Sequence, residues 1–101
     1  MKYNNLDLKK FEAEARKLMS EALTLLVNKR KDYGPNALKG GQHGIAIRMS
    51  DKMARLENLM GIADGSFKSK DAIVGNEQIE DTIRDLINYG ILFLMEGRKQ
   101  K

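Results

Sequence analysis

The sequence has no cysteine and no tryptophan, a single proline and a single histidine. Without cysteine there can be no disulfide and no thiolate metal site, a pattern that fits a reducing, cytoplasmic setting. No apolar run approaches the ~20 residues that a membrane-crossing helix needs. The N-terminal stretch is polar and mixed in charge, so it does not read as a signal peptide. Aromatic residues make up only 6% of the chain, and no basic stripe is interleaved with them, which argues against a nucleic-acid partner despite a net charge of +4. No serine stands in a nucleophile context, so Ser/His/Asp catalysis is not supported. His43, in a glycine-rich stretch, reads as an exposed polar residue rather than a ligand.

What is present is helical periodicity. A chain of 101 residues argues for one domain, spanning residues 1–101. At this size only ~60–68% of the unfolded surface is buried, so we expect oligomerisation to complete the core. Leu8, Phe11, Ala15, Leu18, Met19, Ala22 and Leu26 recur at the 3.6-residue period, predicting a first helix over about residues 5–31 with Asn5 as its N-cap. "DYGPNALKGGQHG" then breaks the pattern: it holds the only proline and four of the nine glycines and predicts a loop. A second helix is predicted over about 44–61, with Ile45, Ile47, Met49, Met53, Leu56, Leu59 and Met60 as its apolar side. An irregular connector follows, with a short strand or turn around 72–74. Asn76 is a natural N-cap for a last helix over about 77–96. Its expected buried stripe is Ile79, Ile83, Leu86, Ile87, Ile91, Leu94 and Met95. The predicted fold is therefore all-α, a small bundle of three main helices.

Three polar groupings stand out. Glu77, Asp81, Asp85 and Asn88 follow one another at offsets of four, four and three, on one helical face. Like charges at that spacing repel by ~0.2–0.5 kcal/mol per pair, so cations must offset them: lysine, arginine or Mg²⁺. Arg48, Asp51, Arg55 and Asn58 form a second stripe at offsets of three, four and three, which predicts a polar face that meets the acidic one across a helix–helix interface. A solvated face and an Asp51–Arg55 ion pair are the simpler readings of the two. The third grouping is Lys29, Asp32 and Tyr33 at the end of the first helix, beside the glycine-rich loop.

Taken together, K-x-x-D-Y-G, G-I-x-x-R-x-x-D-K-x-x-R-L-x-N-L and E-x-x-x-D-T-x-x-D-L-x-N-Y resemble the nucleotide modification associated domain type 1, a small helical domain common in phage and bacterial genomes. That family is related to the all-α NTP pyrophosphatases of the MazG and dimeric dUTPase kind. The resemblance covers about two-thirds of the chain, from Lys29 to Leu94. It implies a Mg²⁺-dependent hydrolysis of a nucleoside triphosphate to the monophosphate and pyrophosphate, in a helical homo-oligomer. Carried onto this sequence, it implies Glu77, Asp81 and Asp85 as metal ligands, and Asp51, Glu77 and Asp81 as the catalytic carboxylates. Lys52 and Arg55 would contact phosphate, Asn58 and Asn88 the base or sugar, and Asp32 and Tyr33 would line the mouth. Lys29 and Arg48 complete the nucleotide-binding set. The second helix offers Asp51 and Glu57 rather than E-x-x-E, and the last helix D-x-x-x-D rather than E-x-x-D. That departure motivates an alternative: an oligomer that binds or sequesters a nucleotide or nucleotide signal without hydrolysing it, as a phage anti-defence protein would.

Overall fold

A computed structural model describes residues 5–34 and 39–99, with Tyr33 described by its backbone alone. The turn expected at Pro35 lies outside the described residues. Four helices follow in order: α1 (Asn5–Tyr33), α2 (Gly41–Met60), α3 (Lys70–Ile73) and α4 (Glu77–Lys99). The described residues contain no strand, so the all-α expectation holds. None of their helices is long and apolar enough to cross a membrane. The chain divides into two compact units, Met1–Gly34 and Pro35–Lys101.

The first unit is α1 alone. It starts at Asn5, the residue expected to cap it, and ends at Tyr33, two residues beyond the predicted stop. Glu12 and Arg16 form an exposed i,i+4 ion pair along it.

In the second unit, α2 begins at Gly41, three residues before the predicted start, and takes in His43, which is exposed. α2 ends at Met60 and is capped by Gly61, where the backbone turns left-handed (φ 76°) and the Ile62 N–H donates to the Glu57 carbonyl at 2.8 Å. A Cβ at Gly61 would crowd the Ser66 hydroxyl and stand 2.8 Å from the Phe67 nitrogen, so only glycine fits there. The connector then folds back on the helix end. The Phe67 and Lys68 N–H groups donate to the Gly61 and Met60 carbonyls at 3.0 and 2.9 Å.

The short strand or turn expected at 72–74 is a helical turn, α3. Ser69 caps it, its hydroxyl accepting from the Ala72 N–H at 3.3 Å. A capped turn of four residues satisfies its backbone locally, whereas an isolated strand here would have no neighbour to pair with. Asn76 caps α4 as predicted, its Oδ1 accepting from the Ile79 N–H at 3.1 Å.

α2 and α4 pack against each other, antiparallel: Lys52 reaches Asp85, while Gln42, at the other end of α2, reaches Phe93. Ile45 and Ile79 are the buried aliphatic anchors of this pair. Each contributes about 1.5–3 kcal/mol if its burial is complete. Half-buried Met49, Leu56, Leu59 and Met60 extend the α2 side. Ile47 and Met53, expected in that face, are exposed: with Ile45, Met49 and Leu56 pointing inward, Ile47 stands at the back of the helix and Met53 at the edge of the face.

The larger difference is in α4. Of the seven residues expected to form its buried stripe, Ile79 is buried and Leu86 half-buried, while Ile83, Ile87, Ile91, Leu94 and Met95 are exposed. The side turned to α2 carries Thr82, Leu86, Tyr89 and Phe93 instead. Thr82 is accommodated there because its hydroxyl donates back to the Gln78 carbonyl at 2.7 Å.

Gln42 fixes how the two helices sit lengthwise. Its side-chain amide donates to the Phe93 carbonyl at 3.1 Å. The amide lies over Gly97: a Cβ there would run into the Gln42 Nε2 and stand 3.3 Å from its Cδ.

Candidate functional site

The rotation that buries Ile45, Met49 and Leu56 also puts Lys52 in the seam, one helical turn from Met49 and from Leu56. On α4, the same turn-by-turn spacing places Asp85 beside Thr82 and Tyr89. The two meet: the Lys52 Nζ stands 3.0 Å from the Asp85 Oδ2, with side chains 30% and 15% exposed. Among the described residues this is the ion pair that links the two helices. Ion pairs this far out of water must recover a desolvation cost through close geometry, and 3.0 Å is close.

The rest of the acidic ladder lies elsewhere. Asp81 is exposed and accepts from Arg84 at 3.3 Å. Arg84 also donates to Glu80 at 3.2 Å, so one guanidinium spans two carboxylates on the helix surface. Glu77 is exposed in the first turn of α4. The described residues hold no group of three His, Asp or Glu side chains placed to grip one ion. Asn88, the last member of the ladder, is buried at 5% exposure.

The second stripe does not face the ladder as a row. Arg48, Asp51, Arg55 and Asn58 are all exposed. They sit on the flank of α2, and it is their neighbour Lys52 that reaches α4. The sequence pattern marks these four as one face, but the apolar residues set the helix rotation, and that rotation puts Lys52 in the seam. Lys29 and Asp32 are exposed near the end of α1, in the first unit, and Tyr33 closes that helix.

Two residues were not anticipated. Gln42 belongs to the glycine-rich stretch but was given no role, and Gly97 sits in a polar tail. The available signal is the pairing of a long amide with an isolated glycine on helices that run antiparallel.

The Asp64 carboxylate in the connector accepts from the Ser66 N–H at 3.0 Å. That backbone hydrogen bond, helped by the Ser66 hydroxyl and the charge of Lys68, holds its pKa below the ordinary 3.8.

Searched against models of known families, curated proteins and solved structures, the chain gives no significant match to any of them.

Proposed function

We propose that the α2–α4 pair holds a nucleoside triphosphate with Mg²⁺ and hydrolyses it to the monophosphate and pyrophosphate, as the resemblance to the all-α pyrophosphatases implies. The observation that supports this is the Lys52–Asp85 pair. It places one ammonium and one carboxylate side by side, half-buried, where a phosphate and a cation would each find an opposite charge. A pair of this kind opens at little cost only if both members gain new partners, and a metal-bound polyphosphate provides both.

By type the donors suit the metal, since Glu77, Asp81 and Asp85 offer hard carboxylate oxygens; by position the three do not converge on one ion in this structure, so Mg²⁺ would take one or two of them together with the substrate's phosphates. Mg²⁺ held there would supply Lewis-acid polarisation of phosphate oxygens and a nucleophilic water. Lys52 would turn from Asp85 to the polyphosphate, with Arg55 and Arg48 adding charge from the exposed flank of α2. Asp51, exposed one residue before Lys52, would take the proton of the attacking water. Asn58 and Asn88 would read the base or sugar.

The test is incubation of the folded protein with each dNTP and Mg²⁺, scored by pyrophosphate release. Release from at least one of them is expected. Asp81→Asn should reduce that release while changing stability by no more than ~0.5 kcal/mol, since its Arg84 pair is exposed. Absence of release from every dNTP overturns the hydrolase reading.

One observation favours a second reading, binding without turnover: Arg84 already spans Glu80 and Asp81. In that case calorimetry shows nucleotide binding that does not require Mg²⁺, and Lys52→Ala weakens it. If neither binding nor release is detected, both readings fail.

A further inference from the structure

We propose that Lys52 keeps free metal out of the site: its ammonium occupies Asp85 in the free protein, so a divalent cation is taken up only together with a polyphosphate. This regulation rests on the nucleotide reading and adds an order of binding to it. Two carboxylates of the ladder already hold a cation. Asp85 has the Lys52 Nζ at 3.0 Å. Asp81 has the Arg84 Nη1 at 3.3 Å, and the same guanidinium reaches Glu80. The two contacts differ in how easily they give way. The Asp81 side chain is 72% exposed, so its pair is screened by water and worth little. The Lys52–Asp85 pair lies between the helices, mostly out of water, and therefore decides what can enter.

A bare dication arriving at Asp85 would displace the ammonium. Lys52 enters the seam between Met49 and Leu56, both half-buried, so it would be left beside those apolar side chains and a like charge. Among the described residues no three acids or histidines converge to offset that repulsion. A cation bound to a triphosphate brings its own anion. Lys52 then exchanges one oxyanion for another and Asp85 one cation for another, so both stay balanced. Metal and polyphosphate are thereby coupled, and the coupling is reciprocal: each raises the affinity for the other by the same factor. A lysine serving only as a phosphate contact, or only as a strut between α2 and α4, would not oppose metal uptake.

Mn²⁺ binding to the whole chain, read from the loss of the free-ion signal in electron paramagnetic resonance, tests this without nucleotide or turnover. The wild type is expected to bind Mn²⁺ weakly. Lys52→Met, which keeps the stem and removes the charge, should bind it roughly fivefold or more tightly. Lys52→Arg should stay close to the wild type, and adding Asp85→Asn to Lys52→Met should abolish the gain. In calorimetry, Mg²⁺ should raise the wild type's affinity for inorganic triphosphate, and do so by a smaller factor in Lys52→Met. Circular dichroism checks that each variant folds, with Lys52→Gln replacing Lys52→Met if that one does not. Equal Mn²⁺ affinity in the wild type and Lys52→Met, or a gain that survives Asp85→Asn, overturns the proposal and leaves the hydrolase reading standing. If Mn²⁺ behaves as expected but neither triphosphate nor any dNTP binds, the nucleotide reading falls and the coupling falls with it.

Discussion

Lys52 and Asp85 form a contact that belongs both to the α2–α4 packing and to the proposed site, so substitutions there should separate the two. Lys52→Ala removes the ammonium from a carboxylate only 15% exposed. Full burial of such a pair would make the loss ~3–5 kcal/mol, and partial exposure reduces it to about 1–3 kcal/mol. Lys52→Met, which keeps the packing of the stem, should lose less than Lys52→Ala by urea denaturation. A double variant of Lys52 and Asp85 should lose less than the sum of the singles, because the pair is direct. Asp64 offers a different residue-level check. Its folded-state pKa is lowered, so the turn it makes with Ser66 contributes fully above 3.8 and loses that contribution as pH falls through the lowered value. An NMR titration should find Asp64 titrating below 3.8; a midpoint at or above that value would contradict the hydrogen bond as its cause.

The elements were legible where a single local force decides them. Asn76 caps α4 because its side chain satisfies the Ile79 N–H three residues on, a relation visible in the sequence. The rotation of α4 was not legible. Its C-terminal half is apolar on two sides, with Leu86 and Phe93 on one and Ile87, Ile91 and Leu94 on the other, so periodicity alone cannot say which side meets α2. The same ambiguity left Lys52, named as a phosphate contact, out of the face expected to meet α4, which was read as Arg48, Asp51, Arg55 and Asn58. The start of α2 was misplaced because glycines at 40, 41 and 44 suggest a loop, although the helix runs through the last two of them. At the other end of α2, Gly61 carries a stronger constraint. Gly61→Ala meets both a left-handed φ and the backbone of Phe67, and should lose roughly 1–3 kcal/mol by thermal denaturation, more than the same change at Gly65, where the space is open.

For the whole molecule, charge is the property most easily probed. The chain carries a formal +4, and a polyphosphate ligand is strongly anionic. If the proposed nucleotide site is correct, calorimetric affinity should fall as salt rises from 0.05 to 0.5 M, roughly the range in which the screening length shortens to a few ångströms. Loss of affinity should be smaller for Lys52→Ala, which has one fewer positive charge to screen. A salt-independent affinity would place the binding on apolar contacts instead.

The contact between Gln42 and Gly97 has a consequence for how this chain can vary. The two positions are far apart in sequence, yet the amide of one occupies the space a side chain at the other would need. A side chain at 97 requires the Gln42 amide to move, at the cost of its hydrogen bond to the Phe93 carbonyl. In a library randomised at both, selected for folded protein, glycine should predominate at 97 whenever 42 is glutamine. Alanine or serine at 97 should survive mainly beside a shorter residue at 42. The helix pair would thus show its lengthwise alignment as a correlation between two columns of sequence.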